Sequence, residues 1–212
     1  MDATVTVTET QDVGADTVAI TFETAGGFEA APGQFVKLAA EVDGESYARF
    51  YTLSSPDVDN TFEITVEIDP EEGGPFSELL AGLSAGDEIE MSGPFGSDYY
   101  EGEARVVVLA GGPGVGPAVG IGERAVADGN ELAIVYQDDE PAHESRLSAL
   151  REAGATVTIT SGEIVDSVAE AITGGADEQI FVYGFGTFVD EATAAVEAAG
   201  VDTEDLKIEN FG

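Results

Sequence analysis

Near residue 100 the hydrophobic pattern of this chain changes period, and that change constrains the fold more than any single motif does. Before it, short alternating or β-branched runs are separated by turn residues: TVTVTET from Thr4, DTVAITFET from Asp16, QFVKLAA from Gln34, YARFYTLSS from Tyr47, FEITVEI from Phe62 and DEIEMSG from Asp87. Pro32-Gly33, Asp43-Gly44 and Gly86-Asp87 punctuate them. Strands this short and this evenly spaced predict an antiparallel barrel or sandwich, because each has one apolar face to bury. One helix interrupts them, PFSELLAGL, opening on Pro75, whose missing N–H is tolerated at a first helical position. After the Gly- and acid-containing stretch from Gly96 to Glu103, the apolar runs ARVVVLA, ELAIVYQ, ATVTIT, QIFVYG and LKIEN alternate with helical segments beginning near Val115, His143, Ile164 and Thr187. That alternation predicts a parallel sheet covered by helices on both faces. The expected organisation is two-domain, with an antiparallel β-barrel over residues 1–99 and an α/β domain over residues 100–212.

Acidic residues number 43 against 7 Lys and Arg, a formal net charge of -36 spread along the chain. Self-repulsion on that scale is tolerable where molar salt shortens the Debye length to about 3 Å, so the charge reads as adaptation to a halophilic cytoplasm. Nucleic acid and anionic membrane surfaces need clustered cations and are excluded as partners. With no Cys and one His, the chain can build no disulfide, thiolate metal site or Cys-held iron–sulfur cluster, which leaves redox chemistry to an organic cofactor. The uncharged run from Val106 to Gly122 contains six Gly and two Pro, which argues against a lipid-facing helix. The first residues lack a basic stretch followed by an apolar core, so no secretory leader is expected.

Three segments carry the candidate chemistry. In Arg49-Phe50-Tyr51-Thr52-Leu53-Ser54, alternation puts Arg49, Tyr51 and Leu53 toward one face of a strand and Phe50, Thr52 and Ser54 toward the other. An Arg there, in a chain so poor in cations, suits a phosphate or one of the many carboxylates. In Gly73-Gly74-Pro75-Phe76-Ser77, glycines lead into a helix whose first amides can take a pyrophosphate, with Ser77 adding a hydroxyl; a plain helix start reads equally from these residues. In VVVLAGGPGVGP, an apolar strand empties into Gly111, Gly112, Pro113 and Gly114, and a helix follows through Val115, Gly116 and Pro117. Residues without side chains let the backbone approach a dinucleotide's pyrophosphate, or simply make a tight crossover.

In this order the segments resemble the ferredoxin reductase family of FAD- and NAD(P)-binding oxidoreductases. The first is similar to the family's Arg-x-Tyr-Ser/Thr flavin motif, which implies that Arg49 binds a flavin phosphate, Tyr51 packs on the isoalloxazine and Thr52 approaches flavin N5. The second resembles the family's glycine-rich turn, followed by Gly86-Asp87 and Ser92-Gly93-Pro94-Phe95-Gly96, and implies a pyrophosphate cradle at Gly74 to Ser77. The third is similar to the pyridine-nucleotide loop Gly-Gly-x-Gly-x-x-Pro, matched by Gly111, Gly112, Gly114 and Pro117, with Pro113 where Thr is common. Tyr183-Gly184-Phe185 stands where many members carry Cys-Gly-Pro, which implies that Tyr183 lines the nicotinamide site. The closing Glu209-Asn210-Phe211-Gly212 is similar to termini that lie near the flavin. The implied cofactors are FAD and NADH, with NADPH possible. Asp138, after the strand ELAIVYQ, is placed to accept from a ribose 2′-hydroxyl and to repel a 2′-phosphate.

The resemblance thus implies hydride transfer from nicotinamide C4 to flavin N5 at a domain cleft, with Tyr51, Thr52 and Tyr183 nearest the reacting atoms. Such a step needs positioning and exclusion of water more than an acid or base. Electrons then leave to a separate acceptor, a ferredoxin or a small molecule. Two other classes stay open: a flavin-binding redox sensor or electron-transfer subunit with a degenerate nicotinamide site, and a dinucleotide module without flavin. His143 has no partner for a metal site or a triad and reads as a surface residue at a helix start. Gly120 and Gly122, each about 1 kcal/mol unfavourable against Ala in a helix, imply close packing on the sheet or the cofactor.

Overall fold

The alternating segments of the first half pair as six antiparallel strands: β1 (Asp2–Gly14), β2 (Thr17–Glu23), β3 (Phe35–Val42), β4 (Glu45–Thr52), β5 (Thr61–Glu67) and β6 (Glu88–Phe95). The computed structural model describes residues 1–24, 26–68 and 74–212. The strands lie in the order β4-β3-β6-β1-β2-β5. Their inward positions, among them Phe22, Val36, Leu38, Phe62, Ile64 and Met91, fill one core, onto which the helix α1 (Pro75–Ala81) adds Phe76 and Leu80. The sheet curls until its edges meet where Leu53, just past β4, bridges Ile64 of β5. Above that bridge β4 is an edge strand, and its residues are largely exposed.

The second half is a five-stranded parallel sheet of β7 (Arg105–Gly111), β8 (Glu131–Gln137), β9 (Thr156–Thr160), β10 (Glu178–Gly184) and β11 (Lys207–Asn210), ordered β11-β10-β7-β8-β9. Helices α2 (Val115–Ala127), α3 (Glu144–Glu152), α4 (Val165–Ala171) and α5 (Gly186–Ala198) make the crossovers. Even-numbered residues of β7 join the core under α2 and α3, whereas Val107 and Leu109 join the core under α4 and α5. Burial on both faces is why these strands read as continuous apolar runs. The chain leaves β7 toward β8 on one side and returns to β10 on the other, so a crevice opens between the carboxyl ends of β7 and β10, the usual ligand position in such sheets.

Barrel and α/β layer meet along a seam of glycines and buried hydrogen bonds. A Cβ on Gly116 would lie 2.7 Å from Thr65 Oγ1, and one on Gly120 would lie 2.9 Å from the Ser54 carbonyl carbon and oxygen. His143, expected at the surface, is 2% exposed, because the barrel supplies partners that its own helix does not. Its N–H donates to Val13 O at 2.8 Å, and its Nε2 is 2.8 Å from Thr65 Oγ1. Farther along, Lys207 Nζ donates to Tyr99 O at 2.6 Å and to Glu103 at 2.7 Å, tying the connection between the two halves to β11.

Helix propensity favours Ala over Gly at position 120 by about 1 kcal/mol. Overpacking against a backbone that cannot rotate away costs about 1–3 kcal/mol. Gly120→Ala is therefore expected to lower the unfolding temperature. Gly122→Ala meets only the ends of the Leu132, Leu150 and Ile134 side chains and is expected to lose less. Calorimetry of both variants in molar KCl checks the order.

Candidate functional site

A cavity of about 940 Å³ lies where the open edge of β4 faces the carboxyl ends of the parallel strands. Strand β4 contributes Arg49, Phe50, Tyr51 and Thr52, and the start of α1 contributes Gly74, Pro75, Phe76 and Ser77. Gly73 lies outside the described residues. Opposite them stand Gly112 and Pro113 after β7, Pro117 on α2, and Asp138 after β8. Phe185 and Phe211, T-shaped at 6.2 Å, line the side at the ends of β10 and β11.

The side chains of β4 differ in what holds them. Arg49 is exposed, donates from Nη1 to the neighbouring Ala48 O at 2.9 Å, and forms no ion pair among the described residues. Arg105, Arg124, Arg146 and Lys207 all do. In a chain with 43 carboxylates, an arginine left unpaired at a cavity wall is available to an anion. Burial pushes the Tyr51 phenol up to about 12, opposed by Arg49, so the ring stays neutral. Thr52 Oγ1 is buried with no partner at strict hydrogen-bond geometry and meets a neighbouring carboxyl only loosely. It faces the carboxyl of Glu209. Burial pushes that carboxyl up to about 7, the Thr52 hydroxyl draws it down, and Asp98 raises it further. At the helix start Ser77 Oγ donates to Gly74 O at 3.0 Å, while the first-turn amides have no partner within α1. Asp138 accepts from the Tyr136 hydroxyl and from the Glu140 N–H, each at 2.8 Å.

Residues 4–100 match the family of oxidoreductase FAD-binding domains. The probable dihydroorotate dehydrogenase B electron transfer subunit of Methanopyrus kandleri is 40% identical over 93 residues, 44% of this chain and 32% of that protein. The glycine betaine monooxygenase reductase subunit of Chromohalobacter salexigens is 43% identical over 91 residues, 41% of this chain and 24% of that protein. The matched stretch thus spans less than a third of these relatives. Among solved structures, the cytochrome P450 reductase of Amycolatopsis superposes with a TM-score of 0.83 over 100% of this chain and 70% of that one, at 22% identity. A ferredoxin NADP+ reductase from Neisseria gonorrhoeae superposes at 0.80 over 100% and 99%, at 16% identity. Residues 4–100 thus resemble oxidoreductase FAD-binding domains, and the whole chain shares the fold of these solved structures.

Several residues named from the motifs do not line the cavity. Leu53, Ser54 and Val115 are fully buried. Gly111, Gly114, Gly116 and Gly184 lack side chains because protein occupies the space. A Cβ on Gly111 would overlap the Phe188 ring, one on Gly184 would lie 2.7 Å from that ring, and one on Gly114 would overlap the Tyr183 carbonyl. Tyr183 itself is 1% exposed and stacks on Phe181 at 6.4 Å, with its hydroxyl unpartnered. A Cβ on Gly33 would lie 2.8 Å from that hydroxyl, so the ring spans the seam to the barrel and is not at the cavity wall. The reason is parity: Phe181 and Tyr183 share the face of β10 that packs into the core under α2, and the crevice opens only past Gly184. Tyr47, Thr65 and Glu67 line the cavity without having been singled out. Tyr47 shares a face with Arg49 and Tyr51 and stacks on Phe76, so a period-2 step back from the motif finds it. Thr65 and Glu67 arrive through strand pairing and carry no local signal.

Glu209 generates a pH test. Its folded-state pKa lies above the unfolded value of 4.5, so its contribution to stability is fully present below pH 4.5 and is lost as the pH rises through about 7. Glu209→Gln, neutral throughout, is expected to match the parent at pH 4.5, to gain on it toward pH 7, and to stay ahead above that. Thermal melts of the pair across this range give the difference directly, and a flat difference would show that the carboxyl is solvated.

Proposed function

We propose that this chain holds FAD between β4 and α1, binds a nicotinamide dinucleotide at the carboxyl ends of β7 and β8, moves hydride from NADH to the flavin, and hands the electrons to a separate acceptor. The observation that carries this reading is that one cavity joins the unpaired Arg49 and the Thr52 hydroxyl, inside the FAD-binding match, to the switch point of the parallel sheet. Its volume suits a ligand site, for which roughly 300–1,000 Å³ is typical. In this reading residues 1–99 are the FAD-binding domain and residues 100–212 the nucleotide-binding domain.

Bound FAD supplies a two-electron acceptor that can release electrons singly. Arg49 and the first amides of α1 neutralise and hold its phosphates. Tyr51 gives a neutral ring face for stacking, and Thr52 offers its hydroxyl to the ring edge. Glu209, its pKa raised by burial, keeps a proton beside that hydroxyl below neutral pH. Phe185 and Phe211, which line one side of the cavity, would exclude water from it once the cofactors are held. Asp138 accepts from the adenosine ribose and favours NADH over NADPH. Tyr183 serves from behind, through packing. The relatives' names support a separate acceptor, one being called an electron transfer subunit and the other a reductase subunit. The net charge of -36 fits a salt-rich cytoplasm, and no helix among the described residues is long and apolar enough to cross a membrane. A second reading, an electron-transfer subunit with a degenerate nicotinamide site, is favoured by the loop glycines, of which Gly112 lines the cavity while Gly111, Gly114 and Gly116 are closed off by protein.

The protein incubated with excess FAD in molar KCl is expected to emerge yellow, and anaerobic NADH is expected to bleach it within turnover time, faster than NADPH does. Colour that persists under NADH supports the second reading, and a colourless protein overturns both. Arg49→Ala removes a charge-assisted contact and is expected to weaken FAD binding roughly tenfold or more, measured by flavin fluorescence.

A further inference from the structure

The seam contains a hydrogen-bond chain to which the proposed function assigns no cofactor contact. Ser54 Oγ lies 2.7 Å from Thr65 Oγ1, which lies 2.8 Å from His143 Nε2. The three residues are 0%, 7% and 2% exposed. Ser54 follows Thr52 by two residues, Thr65 lines the cavity, and His143 belongs to the other half of the molecule, at the start of α3. One imidazole from the nucleotide side therefore holds two hydroxyls of the flavin side. Burial and the nearby Arg146 push its pKa down to about 3, so it is neutral and carries one donor and one acceptor nitrogen, as a chain of hydroxyls requires.

Backbone geometry points the same way. His143 has φ 55, a left-handed conformation that a side-chain-bearing residue keeps only when its surroundings over-determine it. Here its N–H donates to Val13 O at 2.8 Å and its carbonyl accepts from Leu147 N–H at 3.0 Å. Arg146, three residues on, donates to Ser54 O and to Glu63 at 2.7 Å each, and also to Glu123. Ser54 N–H donates to Glu63 O at 2.8 Å. Every polar group of Ser54 is thus engaged, two of them directly or through Thr65 by residues of α3 and its cap.

We propose that His143 is a positioning residue: through Thr65 and Ser54 it locks the barrel and the α/β layer at one angle, and so sets the spacing between Thr52 and the Gly112–Pro117 loop without touching either cofactor. The cavity then works as a preformed cleft and not by hinge opening. The locked angle stands on its own, and its consequence for hydride transfer rests on the oxidoreductase reading.

The chain has no cysteine, so Glu41→Cys on the barrel and Glu170→Cys on α4 accept a clean pair of spin labels. In molar KCl at neutral pH, the labelled parent and His143→Gln are expected to give one narrow distance distribution. Thr65→Val and His143→Leu are expected to broaden or split it while circular dichroism shows each half still folded. A distribution that stays narrow in both of these variants overturns the lock. With FAD bound, reduction by NADH is expected to slow at least about tenfold in His143→Leu and to recover in His143→Gln, with FAD retained in both. An unchanged rate in His143→Leu overturns the positioning role. If the parent's flavin is not reduced by NADH at all, the oxidoreductase reading fails, and the spin-label distances alone decide the lock.

Discussion

The close approach of α2 to the Ser54 backbone is the contact on which the rest of the molecule depends. Strand β4 runs through Thr52 into Ser54, and α2 begins at the loop after β7, so pressing the helix onto Ser54 brings the two candidate ligand loops to one cavity. A glycine at position 120 lets the helix reach the strand's backbone, and one at position 116 lets it reach Thr65. Hydrogen bonds from His143 and Arg146 then fix what the glycines permit. The barrel contributes an opening of its own: its edges join at the Leu53–Ile64 bridge and leave the outer edge of β4 open beyond it, facing the crevice of the parallel sheet.

Charge is distributed around this seam with economy. Arg146 stands on it, between Glu63 and Glu123, and Lys207 ties down the connection with Glu101 and Glu103. Arg105 sits between Glu131 and Glu178 at the far end of the sheet. In a chain with seven cations, spending these on partly buried joints leaves few for a ligand, which gives the unpaired Arg49 its weight. Molar salt screens the exposed carboxylates but reaches buried pairs far less, so the joints outlast conditions that mute the surface.

Both halves of the fold were legible because each strand and crossover helix carries its own periodicity; β7 and β8 announce themselves as apolar runs and β5 by alternation. The β4 residues of the site were legible for the same reason, as Arg49, Tyr51 and Thr52 lie within one strand. What stayed hidden depends on tertiary placement. Nothing around His143 shows that Thr65, 78 residues earlier, lies within hydrogen-bond distance, and so a buried clasp reads as a surface histidine. Tyr183 was misplaced by analogy, since strand parity turns its ring into the core under α2 although its neighbours Phe185 and Phe211 reach the cavity.

The glycine loop shows how one sequence signal can serve two physical needs. A strand that empties into glycines before a helix reads as room for a pyrophosphate, yet Phe188 and the Tyr183 carbonyl occupy the room at Gly111 and Gly114. Those glycines let β7, β10 and α5 close tightly on one another. Gly112, with φ 53, and Pro113 are left to face the cavity, and Pro113 has no N–H to offer. A dinucleotide held there must gain its grip from the ends of β8 and β9 as much as from the loop. Those ends place Asp138, Asp139 and Ser161 on the cavity wall, a set that suits sugar hydroxyls better than phosphates. Under the proposed function, recognition on that side of the cleft would turn on the ribose, and the cationic contribution would come from across the cavity at Arg49.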